Sequence, residues 1–119
     1  MTGHLPTIIF KITRAADWTI ADASGEFAGS RDDLRDGYIH LSTATQVRET
    51  AARHFAGQSG LVLVAIDTAS LHGVLKWEAS RGGALFPHLY GCLAMTSVVW
   101  ARPLPLGPDQ RHIFPTEFA

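Results

Sequence analysis

Leu61-Val62-Leu63-Val64-Ala65-Ile66 is a continuous apolar run with Gly60 before it and Asp67 after it. Its six residues fall far short of the ~20 that span a bilayer, and the run reads as a strand covered on both faces. Upstream, Thr7–Ile12 (TIIFKI) is β-branched and aromatic with partial alternation, a second strand. Thr13 then caps an expected helix that carries Ala15, Trp18 and Ala21 and stops at Gly25. The stretch Gly29–Gly37 (GSRDDLRDG) is polar and turn-rich, a surface loop leading into the short strand Tyr38–Leu41. Thr43, with Gln46 three residues on, fits a capping box, and Val47, Ala51 and Phe55 then recur every four residues as one face of a second helix that Gly57 ends. Downstream of the apolar run, Val74–Trp77 reads as a strand and Cys92–Trp100 as a further, central one. The segment from Arg102 to Pro108 is an extended connection. The expected fold class is α+β, a single small domain over residues 1–119 with mainly antiparallel strands and two helices.

A chain of 119 residues has room for one core and no second domain. Lys and Arg total 10 against 11 for Asp and Glu, so a net charge of -1 supplies no field for a phosphate backbone, and no nucleic-acid partner is expected. The single Cys92 cannot close an intramolecular disulfide, and no basic region precedes Ile8-Ile9-Phe10. These features predict a cytoplasmic protein without a membrane anchor. Opening an apolar strand, Cys92 itself reads as a buried, inert thiol. The six histidines include no close helical pair and no cysteine at zinc spacing, so no metal site is expected.

Two segments carry more polar and aromatic detail than a core needs: Gly37–Thr43 and Trp77–Gly91. Alternation in the first puts Ile39 and Leu41 toward the core and Tyr38, His40 and Ser42 on the other face. His40 then stands beside the helix start at Thr43, where free N–H groups favour an anion. Alternatively, His40 simply hydrogen-bonds a backbone carbonyl at the strand end. In the second segment His88 and Tyr90 share a face if extended, and Gly82 and Gly83 let backbone approach a ligand. Glu78, Ser80 and Arg81 precede that loop, Glu78 and Arg81 either contributing to a site or pairing with each other on the surface. Trp77 is a core residue or a stacking ring. The expectation is one cavity lined by His40, His88 and Tyr90, with Tyr38, Ser42, Thr43, Trp77, Ser80 and Arg81 as further ligand contacts.

At these segments the chain resembles the bacterial family catalogued as domain of unknown function 952. The resemblance runs through IIFKI at 8–12, Trp18, DGYIHLSTA at 36–44, Gln46, TAARHF at 50–55, LVLVAID at 61–67, LKWEAS at 75–80 and GGALFPHLYG at 82–91. That family is similar in fold, remotely, to ADP-ribosyltransferase-like proteins, which bind NAD in a cleft between two small antiparallel sheets. The resemblance implies such a two-sheet architecture and a small-molecule ligand, nucleotide-like or anionic, with NAD as a cofactor or substrate. By position, His40 resembles the histidine that orients the ribose and Tyr90 the aromatic residue beside the nicotinamide. Glu78 and Glu117 are the glutamates available for the oxocarbenium-stabilising role. A non-catalytic ligand sensor and a protein-interaction module are the alternatives to an enzyme of glycosidic bonds. The oligomeric state stays open.

Overall fold

The computed structural model describes residues 5–118, the side chains of Arg81 and Glu117 excepted. Strand β1 (Ile8–Arg14) leads into helix α1 (Ala15–Ser24), and the two-residue strand β2 (Glu26–Phe27) follows. Next come helix α2 (Arg31–Asp36), strand β3 (Ile39–His40) and helix α3 (Val47–His54). The second half contributes β4 (Leu61–Asp67), β5 (Val74–Ala79), β6 (Leu85–Tyr90), β7 (Leu93–Ala94) and β8 (Val98–Leu104). The fold is thus α+β with antiparallel pairing, and the described residues form three helices and three small sheets, β1-β4-β8, β3-β6-β5 and β2-β7, where two of each were expected. Among the described residues no helix is long and apolar enough to cross a membrane.

The apolar run at 61–66 organises the molecule as β4. Val64 and Ile66 join Ile9, Ile39, Leu41, Leu89 and Leu93 in one core, while Leu61, Leu63 and Ala65 join Phe10, Ile12, Val47, Ala51 and Leu104 in another. Both faces of the strand are therefore covered, the first by the β3-β6-β5 sheet and α1, the second by α3 and the C-terminal segment. Sealing these two layers removes the apolar surface of both sheets from water, the main favourable term of the fold.

Several local expectations need correction. Thr13 caps nothing: it is a buried residue of β1, and Arg14 occupies the N-cap position of α1 without a side-chain bond. The box expected at Thr43 is half formed. Gln46 Oε1 accepts the Thr43 N–H at 3.0 Å, but the Thr43 hydroxyl meets Thr45 at 3.1 Å and regular helix starts only at Val47. The stretch 92–100 is not one central strand. Leu93–Ala94 pairs with β2, a 3₁₀ turn at Met95–Ser97 redirects the chain, and β8 lies at the edge of its sheet beside β4. Cys92 precedes that break and is exposed, not buried.

The largest departure is α2, where a loop was expected. Only Leu34 in it is apolar and Leu34 is exposed, so no hydrophobic periodicity marks the helix. Its ends carry the signal instead. Ser30 Oγ accepts from Asp33 N–H, Asp33 Oδ2 accepts from Ser30 N–H at 2.8 Å, and Gly37 closes the helix with φ 88°. That left-handed residue turns the chain directly into Tyr38 and β3.

Candidate functional site

Pairing in the β3-β6-β5 sheet lines side chains up in rows. Ile39, Leu89 and Leu75 are cross-strand neighbours that belong to the core, whereas His40, His88 and Lys76 form the adjacent row on the opposite face. The segments 37–43 and 77–91 are thus neighbouring strands and not opposite walls of a cleft. What faces them is α2, the edge strand β1 and α3, and between these elements lies a cavity of about 370 Å³. That is the small end of the range for small-molecule sites, roughly 300–1,000 Å³.

His40 is held at both ring nitrogens. Nδ1 meets Asp33 Oδ1 at 2.6 Å and Nε2 meets Asp36 Oδ2 at 2.9 Å, contacts that are both hydrogen bonds only when each nitrogen carries hydrogen. Asp33 is also the partner of Lys11, whose Nζ stands 2.8 Å from Oδ2 and donates to the His40 carbonyl at 3.1 Å. Both members of this ion pair are buried, Lys11 4% and Asp33 2% exposed, so the pair has left water and depends on its internal hydrogen bonds. Burial pushes the Asp33 carboxyl up, but the His40 ring, the Lys11 ammonium and the His40 backbone N–H together outweigh it and hold the group well below the usual carboxylate range. Burial likewise pushes the Lys11 ammonium down, against the pull of Asp33.

His88 has a separate support. Its Nδ1 lies 2.8 Å from Glu78 Oε1, and Tyr90 donates its hydroxyl to the same oxygen at 2.8 Å. Glu78 therefore pairs with His88 and Tyr90, and the Arg81 side chain expected beside it lies outside the described residues. The hydrogen bonds from His88 and Tyr90 hold the Glu78 carboxyl below its ordinary value, and the same Glu78 bond pushes the Tyr90 phenol up. The Tyr38 ring stacks on His88 at 4.1 Å between centroids and lies 4.6 Å from His40 and 5.2 Å from Tyr90. Lys76 Nζ covers the Tyr90 ring at 4.9 Å.

Of the residues singled out in the sequence, Tyr38, His40, Ser42, Ser80 and His88 line the cavity. Tyr90 and Glu78 lie outside its wall and reach it through His88. Trp77 packs against the core, and Thr43 sits at the turn before α3 with its N–H taken by Gln46. Sequence reasoning missed Lys11, Asp33 and Asp36. The first is legible as a lysine inside an apolar strand, the second as the N3 acid of a Ser30-x-x-Asp33 box.

The Asp33 carboxyl predicts how stability depends on pH. Its value is depressed in the folded state, so the unfolded chain takes up its proton first, and the stability that Asp33 supplies is complete above about pH 4, the ordinary carboxylate value. It is lost as the pH falls below that value toward the folded one. Urea unfolding from pH 6 down to pH 2 should show this loss, and Asp33→Asn should show a shallower acid slope. An unaltered slope in the variant would mean that other carboxylates carry the effect.

The match to known proteins covers nearly all of this architecture. The crystal structure of protein CC0527 from Caulobacter crescentus has a TM-score of 0.88 at 47% identity, covering 94% of this chain and 98% of that one. A solution structure of the same protein has a TM-score of 0.79 at 50% identity, covering 89% of this chain and 91% of that one. A search of functionally curated proteins found no match. The model of the family described as protein of unknown function (DUF952) matches residues 12–101, from the middle of β1 into β8, and so includes α2, β3, β5 and β6. The chain belongs to the DUF952 family.

Proposed function

We propose that the chain binds a nucleotide-like small molecule in the cavity between α2, α3 and the β3-β6-β5 sheet. One observation carries the reading. Two histidines paired across β3 and β6 line the cavity, each fixed at a ring nitrogen by a carboxylate from another element. A fold gains little from such an arrangement, because well-packed apolar residues of similar volume commonly stabilise a core as well as buried ion pairs do. An oriented His88 imidazole with Nε2 beyond its Glu78 contact, beside the Tyr38 and His40 rings, is, however, what a site needs to hydrogen-bond and stack a heterocyclic ligand.

In its catalytic form the reading is cleavage of a glycosidic bond in a dinucleotide such as NAD, the chemistry of ADP-ribosyltransferase-like proteins. His40 would orient the ribose, Tyr90 would flank the base, and Glu78 would be the carboxylate of the site. Binding and turnover are separate properties of such a cavity and are tested separately. A non-catalytic sensor uses the same cavity without turnover.

The test is a pair of thermal melts, with and without NAD and a panel of nucleosides and nucleotides, on wild type and His40→Ala. A ligand at 100 times its dissociation constant should stabilise the wild type by ~2.7 kcal/mol. His40→Ala should lose that gain. A destabilised variant that keeps the full ligand-induced shift removes His40 from the site, and release of free nicotinamide from NAD separates the enzyme from the sensor.

A further inference from the structure

From the charges and hydrogen-bonding groups around the cavity, we infer that the site takes the uncharged or cationic ring end of its ligand, with an N–H or O–H donated to His88 Nε2, and disfavours phosphate. This rests on the cavity being the ligand site and specifies which part of the ligand enters it.

The cavity's polar wall is acidic on the α2 side. Lys11 and Arg35 are the lysine and the arginine among its described lining residues, and both are engaged. Lys11 is buried against Asp33, while Arg35 binds Asp36 through Nε at 2.9 Å and Asp32 through Nη1 at 3.3 Å. His40 faces Asp33 and Asp36 with its two nitrogens. Three aspartates, Asp32, Asp33 and Asp36, therefore stand around these groups, and an entering phosphate would meet carboxylates whose cations are already paired. The Thr43 N–H offers no substitute, because it is bonded to Gln46 and Thr43 is not part of the wall.

His88, a residue 5% exposed, lines the same cavity. Glu78 accepts from Tyr90 and, as a carboxylate, can only accept from His88, so Nδ1 carries the hydrogen of that contact. In the neutral ring this leaves Nε2 as an acceptor, and the hydrogen bond of the His88 ring to a described residue is the one at Nδ1. The Tyr38 ring stacked on His88 keeps the imidazole plane fixed, so a donor must approach in that plane. An N–H of a heterocycle or a sugar hydroxyl meets this requirement, whereas a phosphate dianion brings acceptors only.

The experiment titrates the wild-type protein with adenosine, guanosine, cytidine and uridine and with the 5′-monophosphate of each, followed by amide chemical shifts. At least one nucleoside is expected to shift His40, Ser42 and His88 with a dissociation constant at least tenfold below that of its monophosphate. Equal or tighter binding of the monophosphate overturns the inference while leaving the cavity as a ligand site. Glu78→Gln, whose spectrum also reports that it is folded, is expected to weaken the nucleoside at least threefold, since an amide no longer fixes the imidazole tautomer. An unchanged affinity in that variant takes His88 Nε2 out of the contact. Shifts from none of the eight compounds would count against both the inference and the ligand site.

Discussion

Asp33→Ala is expected to destabilise the fold by about 3–5 kcal/mol, the usual loss when one partner of a buried ion pair is removed. For a domain of this size that lowers the melting temperature by about 10 °C or more. Three structures lose a member at once. Lys11 keeps a buried ammonium with only the His40 carbonyl as acceptor among the described residues, α2 loses the acid half of its capping box, and the His40 ring and backbone N–H lose a shared acceptor. Urea unfolding of the single variant, of Lys11→Met and of the double variant separates these contributions. The double variant should recover part of the loss, because it no longer buries an unpaired charge. A single-variant loss below about 1 kcal/mol would show that Lys11 reaches water, and a double variant no better than Asp33→Ala would assign the effect to the helix cap.

Leu89→Ala should cost about 2–5 kcal/mol, since it removes a fully buried side chain from the centre of the β3-β6-β5 sheet and leaves a cavity that the neighbours cannot fill. Leu89 pairs with Ile39 on one side and Leu75 on the other, in the core row beside the histidine row. Val99→Ala is the control. Val99 is 53% exposed on the edge strand β8, and its truncation should stay within about 0.5 kcal/mol. Denaturant midpoints of the two variants measure the contrast. Similar losses at both positions would mean that β6 does not present Leu89 inward.

These two variants also mark where a linear reading succeeds and where it stops. The alternation Tyr38-Ile39-His40-Leu41 places Ile39 and Leu41 in the core, as the period of a strand requires. Helix α2 escapes such a reading because the face it turns inward carries Asp33 and no apolar residue, so no period exists to be seen. The same holds for the partners of the histidines. Glu78 lies 10 and 12 residues from His88 and Tyr90, and antiparallel pairing of β5 with β6 brings it to both. Tyr38, His40, Ser42, Ser80 and His88 were legible as residues of unusual chemistry and stand together at one cavity; Thr43 and Trp77 were legible in the same way and stand elsewhere.

The sequence by itself determined the α+β class, the doubly covered strand at 61–66, the end of the first helix at Gly25 and the family, because apolar period, turn residues and motif order are local properties of the chain. Only the tertiary structure decided that β3 and β6 are neighbours in one sheet, that a polar helix closes the cavity opposite them, and that Lys11 and Asp33 neutralise each other 22 residues apart. A buried charge has no local preference that reveals its partner. Its position is set by the long-range packing that removes water from both groups together, and no spacing along the chain encodes that.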